Sequence, residues 1–181
     1  MILEFQKTND NVKSPTRGNP SDAGLDVYAH LPKVVTGVPI NPGSNTMVST
    51  GLKFGIPHGY MLQVCNRSSM GAKKSLTVGA HVIDSGYEGE IFIDLHNIGN
   101  KRQTIKDGDK IAQLVLVPVV HFRPVEKTDG NLYGENISIS NRKDGALGST
   151  DKKPKQSSTA DLHQRDRVSP ASFKNYVPNG F

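Results

Sequence analysis

Apolar residues in this chain fall into short runs broken by Gly, Pro and Asn, at 47–49, 60–64, 90–96 and 111–120. Bounded by turn signals at Asn41-Pro42-Gly43, Ile56-Pro57-His58-Gly59 and Lys106-Asp107-Gly108-Asp109, they predict strands. Helical periodicity is nearly absent, and one helical turn is expected after Arg67, around Ser69 to Lys74. Many short strands at roughly even spacing predict an all-β fold, a jelly-roll-like barrel or sandwich. The run 111–120 is apolar on both alternating faces apart from Gln113, so it needs cover on both sides, part of it expected from neighbouring subunits. Past Val125 the composition turns to Asn, Ser, Gly and Lys, which predicts an extended arm.

Length modifies this picture slightly. At 181 residues the chain is expected to form one β domain over 1–125, an arm over 126–150 and an extra tail over 151–181. The tail carries Leu162, Val168, Phe173, Tyr176, Val177 and Phe181, enough apolar anchors to dock on another surface. Its Lys152-Lys153-Pro154-Lys155 run reads as a solvated linker more than a nuclear-import-like or anion-binding run. A single cysteine, Cys65, excludes an intrachain disulfide, and the chain opens on no basic-then-apolar leader. A reducing, intracellular location, in the cytoplasm with the nucleus as the alternative, is therefore expected. No run reaches the roughly 18 apolar residues that span a bilayer, so no membrane partner is expected.

The formal charge of +5 raises the question of nucleic acid. Six Lys/Arg against three Asp in 151–181 account for +3 of it, and aromatic residues make up only 6%. A near-neutral domain with a few inward-facing cations suits a small polyphosphate better than a long anionic polymer, and no nucleic-acid partner is expected.

Two stretches carry candidate chemistry. Val82-Ile83-Asp84-Ser85-Gly86-Tyr87-Glu88-Gly89-Glu90 sets a carboxylate and an aromatic ring three residues apart between glycines, which reads as a tight hairpin with a reactive tip. Asn66-Arg67-Ser68-Ser69-Met70-Gly71 sets a guanidinium and two hydroxyls before a glycine, a set suited to gripping phosphate oxygens. Each has a plainer reading. Asp84 could cap a turn, Tyr87 fill a strand face, Arg67 make a surface ion pair and Gln113 a strand-edge contact. The Gly/Ser/Asp-rich 142–150 could be a linker. No His and Cys cluster has zinc-ligand spacing, so His81, His96 and His121 are expected to be structural rather than metal-binding.

Five segments in order make a resemblance specific: Ala23-Gly24-Leu25-Asp26-Val27-Tyr28-Ala29, Arg67-Ser68-Ser69, Val82 to Glu90, Gly108-Asp109-Lys110-Ile111-Ala112-Gln113-Leu114-Val115, and Arg142-Lys143-Asp144-Gly145-Ala146-Leu147-Gly148-Ser149-Thr150. Together they resemble the five motifs of the trimeric dUTPases, over residues 1–150. The resemblance implies a homotrimer hydrolysing dUTP to dUMP and pyrophosphate with Mg²⁺. It implies that Asp84 activates the attacking water and that Tyr87 packs on the deoxyribose. Arg67, Ser68, Ser69 and Gln113 would bind the phosphate chain, and His81 and Ile83 would also contact substrate. Asp26 would hold the magnesium through a water, and Arg142, Leu147, Gly148 and Ser149 would close an arm over the nucleotide.

The pattern also departs from that family. Lys143 and Ala146 stand at usual glycines, and Leu147 replaces the phenylalanine that stacks on uracil. In the third motif His81 stands for a glycine, Gly86 for an aspartate and Asp94 for an uncharged residue. The related dCTP deaminases share the Ala-His before Ile-Asp and carry a catalytic glutamate at the Asp94 position, which makes deamination, or a bifunctional enzyme, a rival. Against it, Ala72 stands where the deaminases need an arginine. A third reading is a non-catalytic nucleotide sensor, motivated by the altered arm and the extra tail.

Overall fold

The structure is a computed structural model and describes residues 1–130 and 132. In chain order its elements are β1 (Glu4–Lys7), β2 (Leu25–Tyr28), β3 (Val38–Ile40), β4 (Asn45–Ser49), β5 (Leu52–Gly55), β6 (Tyr60–Cys65), α1 (Ser68–Lys74), β7 (Leu76–Val78), β8 (Val82–Asp84), β9 (Phe92–Asn97), β10 (Gln103–Ile105) and β11 (Lys110–Pro118). The expected all-β class and the single short helix after Arg67 are both present. The chain divides into a compact unit Met1–Pro124 and a second unit beginning at Val125.

Every strand pairing is antiparallel. The order β2-β11-β6-β8 makes a four-stranded sheet, β4-β9-β7 a three-stranded one, and β1-β5 and β3-β10 two ribbons. Alternation explains the packing. In β9, Ile93, Leu95 and Asn97 point inward while Phe92, Asp94 and His96 point outward. The inner faces supply one core that includes Val27, Leu52, Leu62, Leu76, Ile93, Leu95, Ile105, Ile111 and Leu114, as a jelly-roll-type sandwich requires.

Among the described residues, the buried polar side chains Thr50 and Asn97 are satisfied. Asn97 donates to the carbonyls of Ile40 at 2.9 Å and Lys101 at 2.8 Å, and accepts from the Gly99 amide at 3.0 Å. The Thr50 hydroxyl donates to the Ile91 carbonyl at 2.6 Å and accepts from the Leu52 amide at 3.2 Å. An unmet polar group at either place would carry the full desolvation penalty. In β11, Ile111, Ala112 and Leu114 are buried, whereas Val115, Leu116 and Val117 are only half-buried. The second half of this strand therefore has apolar surface left over within one copy.

One sequence expectation needs correction. The stretch Val82 to Glu90 does turn tightly, but it is not a hairpin. Strand β8 pairs with β6 in the four-stranded sheet, whereas β9 pairs with β4 and β7 in the three-stranded sheet. The glycine-rich segment carries the chain from one sheet to the other. Local turn residues could not reveal that the flanking strands part company.

Candidate active site

A polar cleft of about 470 Å³ gathers residues from three distant stretches. Gly18, Asp22, Ala23, Gly24 and Asp26 come from the loop before β2 and from β2 itself, Arg67 and Ser68 from the entry to α1, and Lys110 and Gln113 from β11. Asp26 is its electrostatic centre. Its Oδ1 accepts from Arg67 Nε at 2.8 Å and its Oδ2 from Lys110 Nζ at 2.8 Å. Arg67 also reaches Ser69 Oγ and the Lys110 carbonyl, each at 3.5 Å. The bond to Asp26 holds the Lys110 ammonium above its ordinary value, outweighing the loss of solvation that acts the other way.

Strand irregularity makes this convergence possible. Residues three apart on a regular strand face opposite ways, yet Lys110 and Gln113 line the same cleft. Opposite β2 the register slips between Lys110 and Ala112, a bulge that turns one of the two round. Gly24 clears space for the other: a Cβ there would lie 2.0 Å from Gln113 Oε1. The carboxamide threads past Gly24, and its Nε2 donates to the Asn66 carbonyl at 2.8 Å.

A second, more apolar cleft of about 450 Å³ is lined by Met47, Val64, Ala80, Val82, Ile83, Asp84, Tyr87, Glu90, Ile91 and Phe92. Here the segment between the sheets does its structural work. The Tyr87 amide donates to the Asp84 carbonyl at 3.3 Å, and Gly86 takes φ +88°. That glycine sits at the third position of the turn, where a type II geometry requires positive φ. The main chain closes the turn, so the Asp84 side chain is not its cap. Asp84 is exposed, and its carboxylate has no hydrogen bond or ion pair among the described residues.

Tyr87 lies back over Gly89, where a Cβ would come within 2.5 Å of the ring carbon Cζ. Its hydroxyl donates to the Glu90 carbonyl at 2.9 Å. Glu90 is in turn anchored on the Gly51 amide at 2.8 Å and on the Ser49 hydroxyl. His81 hydrogen-bonds through Nδ1 to the Val64 carbonyl at 2.9 Å, while the Val64 amide donates to the His81 carbonyl at 2.8 Å, which ties the start of the segment to β6. Arg142, Leu147, Gly148 and Ser149 lie outside the described residues.

Asp94 is engaged elsewhere. On the outward face of β9 it accepts from Asn45 Nδ2 at 2.9 Å and pairs with His96 Nε2 at 2.8 Å. Burial pushes its carboxyl up, but these two hydrogen bonds and the His96 charge together hold it below the ordinary 3.8.

The dUTPase family model matches residues 10–142. The chain belongs to the dUTPase family. A deoxyuridine 5'-triphosphate nucleotidohydrolase of Bdellovibrio bacteriovorus is 41% identical over 130 residues, which cover 71% of this chain and 80% of the relative. Among solved structures, the Staphylococcus bacteriophage 80alpha dUTPase with dUpNHpp aligns at a TM-score of 0.63 and 25% identity, over 82% of this chain and 98% of that one. The dUTPase of phage phi11 of S. aureus, described with a structural Mg(II) ion, aligns at 0.61 and 24%, over 71% and 99%.

Sequence reasoning picked out Asp26, Arg67, Ser68 and Gln113, and the fold brings all four together in the first cleft. Ile83, Asp84 and Tyr87 share the second. It passed over Lys110, although a basic residue three before Gln113 was the available signal, because only the bulge puts both on one side. For a dUTPase metal, no three His, Cys, Asp or Glu converge as a cation cage among the described residues. Asp26, an acceptor-only carboxylate when ionised, is the kind of group that receives a metal-bound water. That donor set fits a magnesium ion held mainly by substrate phosphates and its own waters.

Proposed function

We propose that this chain hydrolyses dUTP to dUMP and pyrophosphate in homotrimers whose pockets combine residues of different copies. The observation that carries the reading is the pairing of a polar, cation-bearing cleft around Asp26 with a more apolar cleft bearing a free carboxylate, Asp84, beside Tyr87. Arg67, Ser68, Ser69 and Gln113 bind the phosphate chain, where charged and neutral donors follow charge as it develops. Ile83, His81 and Tyr87 contact the nucleoside. Asp84 orients a water and takes its proton as the water oxygen bonds to the α-phosphorus. The electron pair of the breaking bond goes to the oxygen that leaves with pyrophosphate. Asp26, through a water, and the substrate phosphates would hold a magnesium ion, which would supply neutralisation of phosphate charge. Arg142, Leu147, Gly148 and Ser149 close the arm 126–150 over the nucleotide and exclude water.

Strand register supports the sharing of pockets. Gln113 lies opposite Cys65 on β6, and Asp84 lies opposite Met61 on the same strand. Four residues along β6 and two strand spacings across it separate their backbones by roughly 16 Å. An aspartate and a glutamine are too short to close on one phosphate across that gap. A second copy that brings its own Asp84 to this copy's cation cleft removes the difficulty, and the half-covered end of β11 offers surface for such a contact.

Deamination of dCTP is not favoured. Asp94, which would have to supply that chemistry, is spent on Asn45 and His96. Incubation with dUTP and with dCTP in the presence of Mg²⁺ tests the assignment. Release of dUMP and pyrophosphate from dUTP is expected, deaminated product from dCTP would overturn it, and binding without turnover would favour a sensor. Mixing an Asp84→Asn variant with one truncated before Arg142 should restore partial activity, and a fully active monomer in sedimentation would rule out sharing.

A further inference from the structure

The carboxylate that faces the phosphate cleft is neutralised from within the chain. Lys110 Nζ sits 2.8 Å from Asp26 Oδ2, on the oxygen that Arg67 leaves open. The β11 bulge puts Lys110 there. The Tyr28 ring steadies it, its centroid 5.7 Å from Lys110 Nζ and 5.5 Å from Lys13 Nζ on the same ring. The Tyr28 hydroxyl is itself held by Thr16 Oγ1 at 2.6 Å. Yet the ammonium is not locked in. The Lys110 side chain remains about a third exposed, against 13% for Asp26. A lysine is also a point charge on a flexible stem, able to leave a partner that a bidentate arginine would grip.

We propose that Lys110 is the stand-in counter-cation of Asp26: it occupies the carboxylate oxygen in the free site and is displaced from it by magnesium when the metal arrives with a triphosphate. This rests on reading the cleft as a triphosphate site. Without Lys110, Arg67 would do no more than offset Asp26, and the cluster would carry no net positive charge toward an entering polyanion. With Lys110 in place, the cleft accepts phosphates before the metal is seated. Once the metal's water occupies Asp26, the lysine is dispensable for that task and is free to turn toward the phosphates. Lys110 is thus a positioning residue whose importance depends on whether metal is present.

Calorimetric titration of dUpNHpp into the full chain, in EDTA and across a magnesium series, tests this in the wild type, Lys110→Met and Lys110→Arg. Removing the cation should weaken binding in EDTA by roughly tenfold to a hundredfold, the range for losing a hydrogen bond to a charged group. Saturating magnesium should close much of that gap, and Lys110→Met should reach half-saturation at a lower magnesium concentration than wild type. Lys110→Arg should keep the EDTA affinity but require more magnesium, since its fork holds Asp26 more firmly. A residue that merely braced Arg67 would lower affinity by the same factor with and without metal, and that result overturns the proposal. Unchanged binding in Lys110→Met overturns it too. If the wild type fails to bind dUpNHpp under any condition, the triphosphate reading falls and this inference with it.

Discussion

Gly24 offers the sharpest probe of how the cation cleft is built. Its φ lies outside the left-handed region, so alanine is compatible with the backbone, and the consequence of Gly24→Ala is purely one of space. The added methyl would lie 2.0 Å from Gln113 Oε1, 2.8 Å from its Cδ and 3.1 Å from its Cβ. The far end of that flexible side chain must swing away. Doing so breaks its 2.8 Å bond to the Asn66 carbonyl, which solvent can then reach. That loss should cost about 0.5–1.5 kcal/mol, or a fall in Tm of about 2–5 °C.

Activity should fall much further than stability. A donor taken away from a charged phosphate oxygen costs about 1.5–3 kcal/mol, or roughly 10- to 150-fold in kcat/KM. Gln113→Ala should show the same kinetic defect without the clash. The decisive comparison is the double variant: if Gly24 acts only by making room for Gln113, adding Gly24→Ala to Gln113→Ala should change kcat/KM by less than about twofold. Additive losses, or a Gly24→Ala enzyme within about twofold of wild type, would refute the reasoning.

Asp84→Asn should leave Tm and dUpNHpp affinity near wild type, because the main chain closes the turn, and lower kcat by roughly 10² or more; near-normal turnover would remove Asp84 from the chemistry. Gly89→Ala should eject the Tyr87 ring from its seat and raise KM for dUTP, and a raised KM that Tyr87→Ala does not reproduce would show that Gly89 acts otherwise. The Asp94 carboxyl titrates lower in the folded chain than when unfolded, so its stabilisation is present above 3.8 and lost as pH falls through the lowered value. Asp94→Asn should therefore unfold at lower urea than wild type near neutrality, with the difference shrinking as pH falls from 3.8 through the lowered value; a difference that widens in acid contradicts the sign.

Much of the fold was legible because it rests on local rules. Alternation in β6 and β9, the apolar length of β11 and the glycine turns between them are short-range signals, and the strands expected at 47–49, 60–64, 90–96 and 111–120 correspond to β4, β6, β9 and β11. The four-residue strands β1, β2 and β5 and the three-residue strands β3, β7 and β10 escaped notice, since runs so short show too few alternations to stand out. The hairpin reading of Val82 to Glu90 failed for a related reason. A turn specifies how the chain reverses locally, not which sheet each flank joins.

Spacing in the sequence named the side chains of the candidate site but not the residues that seat them. Gly24 and Gln113 are 89 positions apart, yet one exists in its present form because the other needs its volume. Gly89 stands in the same relation to Tyr87, and Gly79 to the Asp94–His96 pair, where a Cβ would lie 2.4 Å from both Asp94 Oδ2 and His96 Nε2. Read locally, all three are turn glycines, and none adopts the positive φ that would justify the reading. What they share is a neighbouring polar side chain lying across the backbone, a relation that for Gly24 and Gly79 exists only once the strands have paired. The bulge that swings Lys110 beside Asp26 belongs to the same class, because it is a property of how β11 pairs with β2. Electrostatics therefore follows from register here: with regular pairing, Lys110 and Gln113 would face opposite sides, and Asp26 would have Arg67 as its sole cation.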